Sequence, residues 1–550
     1  EPGVSLPVHE RAQLWLGRAL LRSGDQVAAR TAFEQAVALS EAGLGALPSD
    51  DFQRGYLRAR AEAYEELLRL TLVDNLAEPG EHTAAAVLGA LEQLRARTLP
   101  FRVQKPDIAR RTRRTLEQGA EPDPDRERLD WLYRKTNRYQ LEAAEATTSD
   151  SLTEERIQLE LRILERLRRG RLARTYPAHE TLSEPMAAQS IAARLGPDEA
   201  FVAYGFIDDE LFAVVLSQDS TEVHRGLACS ATLTAARRAW RNQLETLRLG
   251  MAHLERHRQL LEDRARATLG ALYDLLWRPL AGTLDGCRTI RILPTTTVAD
   301  LPFAALWDGR QHVIEQFAIS FLLSTASLAA PTSTPASRRN VILLADPARL
   351  PGTRAETEAL VGIWPEAGVA CASSTNRAGF SELSTDADIL HIACHGEFRA
   401  ENPLFSALHL GEDMLTALDI EQLSLPAQPL VILSACDSAR SDGAGVDESL
   451  GLVRAFQVAG ASNVIASLWP IDDAGTANWM IDLHRRLHAE WGGGDRCGAS
   501  VTEMVASVQR EQIRAGAHPA NWAAFCVSGR DTPAPDIPMN NRSEREHAHF

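Results

Sequence analysis

The sequence predicts an α/β domain built on a largely parallel sheet, preceded by an all-α region. Three observations carry this. Short, almost wholly apolar runs at 340–345, 388–393, 429–434 and 462–467 alternate with amphipathic stretches at 353–364, 447–459, 474–489 and 498–515. Strands apolar on both faces belong to a parallel sheet covered by helices on each side. The first 175 residues, by contrast, carry helical periodicity and no cysteine.

The helical region opens with two short amphipathic helices within 11–40, turning at Ser23-Gly24-Asp25. Leu16, Gly17, Ala29, Phe33 and Ala36 follow the small/large spacing of a tetratricopeptide repeat (TPR). Gly17 and Ala29 let the two helices approach, and Phe33 fills the space between them. Residues 52–74 and 81–98 read as degenerate copies, since one repeat cannot bury its own face. After the breaker at 121–125, two long Arg/Glu-rich helices are expected at 126–146 and 152–175. Glu154, Glu155, Glu160 and Glu165 interleave there with Arg156, Arg162, Arg166 and Arg168, the pattern of a solvated face.

Strand-like runs begin at 200–204 and 211–216, followed by a helical stretch over about 232–279 and strands at 289–294 and 318–323. Residues 325–339, rich in Ser, Thr, Pro and Ala, read as a linker. The expected organisation is a TPR-like array at 1–120, a helical connector at 121–178, a first α/β half at 179–330, a linker at 331–339, a second half at 340–530 and a disordered tail at 531–550.

The 550 residues suit about three domains. With 58 basic and 74 acidic residues the formal net charge is −16, which disfavours a nucleic-acid or polybasic membrane role. No run reaches the ~18 apolar residues of a membrane helix, and no signal peptide is visible at Glu1-Pro2-Gly3. Seven cysteines, none in a Cys-x-x-Cys pair, suggest reduced, cytoplasmic usage. No Cys/His cluster has metal-ligand spacing. Gly492-Gly493-Gly494 lacks the Lys-Ser/Thr of a phosphate loop. No metal or cofactor is expected.

Two strand ends carry the candidate chemistry. One apolar run ends in His395-Gly396; another ends in Ser434-Ala435-Cys436. In a parallel sheet all carboxyl ends share one edge, so His395 and Cys436 meet if their strands are neighbours. A thiolate there attacks a carbonyl, and an imidazolium protonates the leaving amine. The N–H groups of Gly396 and Cys436 are candidates for an oxyanion hole. Asp437 beside the thiol does not favour a thiolate, so His395 must. Taken alone, each of these residues is more often structural. His391 and Cys394 compete for the role, but alternation puts Cys394 opposite His391 and deeper in the strand.

The surrounding blocks are more specific. They include Leu293-Pro294, Leu301-Pro302-Phe303-Ala304-Ala305-Leu306, Gly451-Leu452-Val453-Arg454-Ala455-Phe456, Ala459-Gly460-Ala461 and Val464 to Pro470. With His395-Gly396 and Ser434-Ala435-Cys436, they resemble the CHAT family, caspase-like proteases associated with TPRs, over about 180–530. The resemblance implies a caspase-like α/β fold related to separase, with a pseudo-caspase half at 179–330 and an active half at 340–530. It implies a cysteine endopeptidase with His395 and Cys436 as its dyad, a protein substrate, and a regulatory protein partner at the TPR-like region. Relatives act in bacterial defence, in CRISPR-linked or gasdermin-activating roles. Ser434 stands where some relatives outside the CHAT group carry an acidic pocket residue. A carboxylate for the substrate residue before the scissile bond (P1) would then come from Asp472 and Asp473, or from Asp447 and Glu448. Helix capping explains all four equally well. Trp469 reads as a pocket wall or core residue. The loop 437–447, which contains Arg440, is a candidate for ordering on partner binding or for self-cleavage. A catalytically silent TPR/CHAT interaction scaffold is the alternative, and a small-molecule cysteine hydrolase would share the dyad.

Overall fold

The computed structural model describes residues 6–45, 61–98, 124–142, 150–173, 186–247, 251–295, 297–329, 340–347, 350, 352–397, 399, 402–411, 413–434, 451–469, 471, 473–491 and 499–529. The linker core, the tail and the loop 437–447 lie outside these.

The helical region begins with a hairpin, α1 (Leu6–Ser23) and α2 (Gln26–Gly45), and a second, α3 (Ala61–Ala77) and α4 (Glu81–Thr98). Gly24, at φ +86°, makes the first turn in a backbone region that glycine reaches without strain. The Gly17–Phe33 packing is present, with Phe33 fully buried and a Cβ on Gly17 only 2.5 Å from its ring, whereas Leu16 of the same spacing points to solvent. Burying such a ring contributes about 1.5–3 kcal/mol. A third hairpin follows, α5 (Pro124–Glu142) and α6 (Asp150–Ala173).

The α/β part has one eleven-stranded sheet. Its strands are β1 (Glu199–Ile207), β2 (Glu210–Leu216), β3 (Thr221–Ala228), β4 (Thr289–Leu293), β5 (Ala318–Phe321), β6 (Val341–Ala345), β7 (Gly368–Cys371) and β8 (Ile389–Ala393), then β12 (Leu430–Leu433), β13 (Asn463–Ser467) and β14 (Phe525–Gly529). A separate three-stranded sheet comprises β9 (Gly396–Glu397), β10 (Ala407–Leu410) and β11 (Asp413–Thr416). The large sheet runs β3-β2-β1-β4-β5-β14-β13-β12-β8-β6-β7. Most neighbours are parallel, as the apolar runs predict; β1-β2-β3 and β13-β14 are antiparallel. The last strand, β14, pairs with β5 and so joins the two halves into one sheet.

The longer helices are α7 (Ser230–Leu247), α8 (Met251–Leu276), α9 (Gly352–Ile363), α10 (Arg377–Ser384), α11 (Gly451–Ala459), α12 (Asp473–Trp491) and α13 (Val501–Arg514). On one face of the sheet a continuous core runs through both halves, from Tyr204 and Phe303 to Leu390, Leu433 and Phe456. On the other face of the second half, Leu360 of α9, Leu483 of α12 and Val505 of α13 cover Leu343, Ile389 and Ile432. On that face of the first half the helical repeats do the covering: Leu68, Leu72, Val87 and Leu91 pack on Phe201, Phe212 and Val214. The helical region therefore completes the core of the first half.

Two expectations are corrected. Thr325 and Ser327, in the stretch 325–339 read as linker-like, are buried, and Thr325 donates to Glu92. Glu160, assigned to a solvated face, is also buried, because α6 turns it onto Arg399.

Candidate active site

The strands β8 and β12 are parallel neighbours, with Ile392 opposite Leu433. The chain leaves β8 as Cys394-His395-Gly396 and leaves β12 at Ser434, on the same edge. Ser467 ends the next strand, β13. A small cleft opens there, lined by His395, Cys394, Ser434, Ser467, Thr353 and Glu356 among others. Apolar strands placed side by side thus deliver short polar residues to one edge.

Cys394 is fully buried in the core, on the face opposite His391, as alternation requires. His395 is half-buried on the cleft. Its carbonyl accepts the His409 amide at 2.9 Å, and its ring meets the His409 ring edge-on at 6.2 Å. The 395/409 pair is thus hydrogen-bonded, so the next pair, Gly396 with Leu408, belongs to the class that exchanges no backbone bonds. The Gly396 N–H therefore points away from β10. Trp469 is a core residue: its Nε1 donates to the Ala520 carbonyl at 2.7 Å.

Beneath the cleft lies a buried polar chain that the sequence did not reveal. Ser434 Oγ donates to Glu356 Oε1 at 3.0 Å. His391 Nε2 faces the same oxygen at 2.9 Å, at an angle too poor for a hydrogen bond. His484 Nε2 and His391 Nδ1 are 3.1 Å apart, and Trp364 Nε1 donates to His484 Nδ1 at 3.1 Å. An indole N–H can only donate, so His484 must accept on Nδ1 and carry its proton on Nε2. It then donates to His391 Nδ1, which leaves the His391 proton on Nε2, toward Glu356. Burial, with His391 alongside, holds the His484 pKa well below the ordinary imidazole range.

Cys436, Asp447, Glu448 and Asp472 lie outside the described residues; Asp473 begins α12, and only its backbone is described. The sequence reading missed Glu356, because GTRAETEALVG looks like an ordinary amphipathic helix. Among the described residues no group of His, Cys, Asp and Glu could hold a metal ion. No helix among them is long and apolar enough to cross a membrane.

Comparisons with known proteins bear on this arrangement. The human tetratricopeptide repeat protein 28 is 34% identical over 122 residues, 22% of this chain and 5% of that protein; the mouse protein matches to the same extent. The chain thus spans about a twentieth of the length of these curated relatives. The separase–securin complex of Saccharomyces cerevisiae is similar in structure, with a TM-score of 0.48 and 10% identity, over 95% of this chain and 44% of that one. The complex of pro- and mature domains of Porphyromonas gingivalis RgpB has a TM-score of 0.33 and 10% identity, over 49% of this chain and 69% of that one. Residues 266–530 match the CHAT domain family, so the resemblance carried by the blocks around His395 and Cys436 is borne out, and the chain carries a CHAT domain.

Proposed function

We propose that the chain is a cysteine endopeptidase in which Cys436 is the nucleophile and His395 the general acid and base. One observation carries the reading. His395 and Ser434, the latter two positions before Cys436, follow neighbouring parallel strands at one sheet edge, beside a cleft.

In this reading the Cys436 thiolate adds to the scissile carbonyl, and the His395 imidazolium gives its proton to the leaving amine. Water then releases the acyl group, with His395 taking its proton. The Gly396 N–H, turned away from β10, and the Cys436 N–H stabilise the oxyanion. Asp472 and Asp473, or else Asp447 and Glu448, supply the charge for a basic P1 side chain. The TPR-like region docks a regulatory protein. Val8, Trp15, Leu16 and Val27 stand exposed on α1 and α2 and suit a protein surface. A bacterial defence role, as in relatives, is a further part of the proposal.

Cleavage of a peptide library varied at P1, by the wild-type chain and by Cys436→Ala, tests this. Cleavage after Arg or Lys that the variant loses supports it. Cleavage that survives in the variant rules out Cys436, and biological activity retained by the variant favours the interaction scaffold.

A further inference from the structure

The strand that follows His395 is short and thinly held. β9 has two residues and pairs only with β10 among the described strands. Its Glu397 accepts from Arg399 Nε at 2.9 Å. Arg399 in turn donates through Nη1 to Glu160 of α6. Both members of this pair are buried, Glu160 at 2% and Arg399 at 3% exposure.

The Glu160 carboxylate is fully engaged. It also accepts from the Tyr133 hydroxyl at 3.0 Å and from Asn402 Nδ2 at 3.2 Å. The Arg399 guanidinium lies 4.9 Å from the Tyr133 ring centroid, and the Arg399 amide donates to Ser406 Oγ at 3.1 Å. Around this point the α5–α6 hairpin packs Leu129, Leu132 and Ile163 against Phe405, Met414 and Leu418. Arg126 to Asp419 (2.6 Å) and Arg377 to Asp130 (2.5 Å) fasten the rim.

We infer that Glu160 and Arg399 are positioning residues through which the α5–α6 hairpin fixes β9 and, with it, His395 and Gly396. The apolar contact alone would hold the hairpin on the domain. A buried ion pair adds little net stability over apolar packing of the same volume, yet it repays its desolvation only in good geometry. Here that geometry passes through Arg399 to Glu397, two positions from His395. The inference rests on the dyad proposed above.

The test uses the full chain, with Glu160→Gln and, as a control on the same helix, Glu155→Gln, whose pair with Arg128 is exposed. Four quantities are read: kcat and KM on a peptide that the wild type cleaves, the pH profile of Cys436 alkylation by iodoacetamide, hydrogen exchange across 396–406, and the thermal midpoint. Misplacing a reacting group by about 1 Å costs up to ~10²-fold. Glu160→Gln is therefore expected to lower kcat at least about ten-fold with KM little changed. It should shift the alkylation profile toward that of an ordinary thiol and speed exchange in β9, while the control behaves as wild type. Arg399→Lys, which keeps the charge but loses the fork, is the second variant should Glu160→Gln fail to fold, and it should show the same pattern. A lowered thermal midpoint with kcat, alkylation and exchange in β9 unchanged would make the pair a structural brace and overturn the inference alone. A wild-type chain that neither cleaves nor shows a lowered thiol profile would overturn the dyad, and the inference with it.

Discussion

Ser434, two positions before Cys436, donates its hydroxyl to the buried carboxylate of Glu356 at 3.0 Å. The two residues are 78 positions apart, on β12's carboxyl end and on α9. The contact ties the carboxyl end of β12 to α9 across the cleft, and His391 and His484 back it from below.

Glu356→Ala strands the Ser434 hydroxyl without its acceptor and removes the carboxylate facing His391. A buried polar group left unpaired costs about 1–3 kcal/mol. The variant should unfold at a clearly lower denaturant midpoint with an unchanged slope, and Glu356→Gln, which keeps an acceptor for Ser434, should lose less. Equal midpoints for wild type and Glu356→Ala would mean that the buried chain contributes no stability.

Acid sensitivity should trace partly to His484. Its folded-state pKa is depressed, so the native protein holds it neutral while the unfolded chain takes up a proton below about pH 6.5. The unfolded state then binds more protons, and stability falls as pH falls through 6.5. The loss continues until the folded-state pKa is reached. Thermal midpoints measured between pH 7.5 and pH 5 should drop more steeply in wild type than in His484→Gln. Parallel curves would rule out this contribution.

At the first helical hairpin, Gly17→Ala drives a methyl group to 2.5 Å from the Phe33 ring. Overpacking of this kind costs about 1–3 kcal/mol. Limited proteolysis should cut the variant earlier within residues 6–45, while the CHAT domain stays resistant. An unchanged cleavage pattern would show that the hairpin relaxes around the methyl group.

The described cysteines should react in a set order. Cys526 is half-buried with its thiol desolvated, which pushes it up to about 12 and keeps it protonated, and Cys394 is fully buried. Cys371 is exposed, and a hydrogen bond from Thr232 holds the Cys229 thiol below its usual value. In native protein at pH 7.5, peptide mapping after iodoacetamide should find Cys229 and Cys371 modified, with Cys394 and Cys526 untouched until unfolding. Early modification of Cys526 would contradict its placement.

Much of this was legible in the sequence. The apolar runs at 341–345, 389–393, 430–433 and 463–467 became strands within a residue of where periodicity put them. Their parallel order put His395 and Ser434 on one edge. The Ser23-Gly24-Asp25 turn and the Gly17–Phe33 contact were also readable, because both are local. What escaped notice was decided at long range. β9, β10 and β11 are two to four residues long and carry no period. β14 pairs with β5 and β13 across the whole domain. Glu160, Glu356 and His484 sit in charged or amphipathic helices, and their burial depends on partners far away: Arg399 lies 239 positions from Glu160. A polar side chain shows no sign in its own helix of the partner that will bury it.

The most direct test of the dyad is covalent trapping. Wild type, His395→Asn and Cys436→Ala are incubated with a peptidyl acyloxymethyl ketone bearing Arg at P1, and the adduct is mapped by mass spectrometry. A single thioether on Cys436 is expected in wild type, formed at least about 10²-fold more slowly in His395→Asn, in keeping with loss of an acid–base partner, and absent in Cys436→Ala. Labelling of Cys436 at the same rate with and without His395, or labelling that settles on Cys371 instead, would contradict a Cys436–His395 dyad.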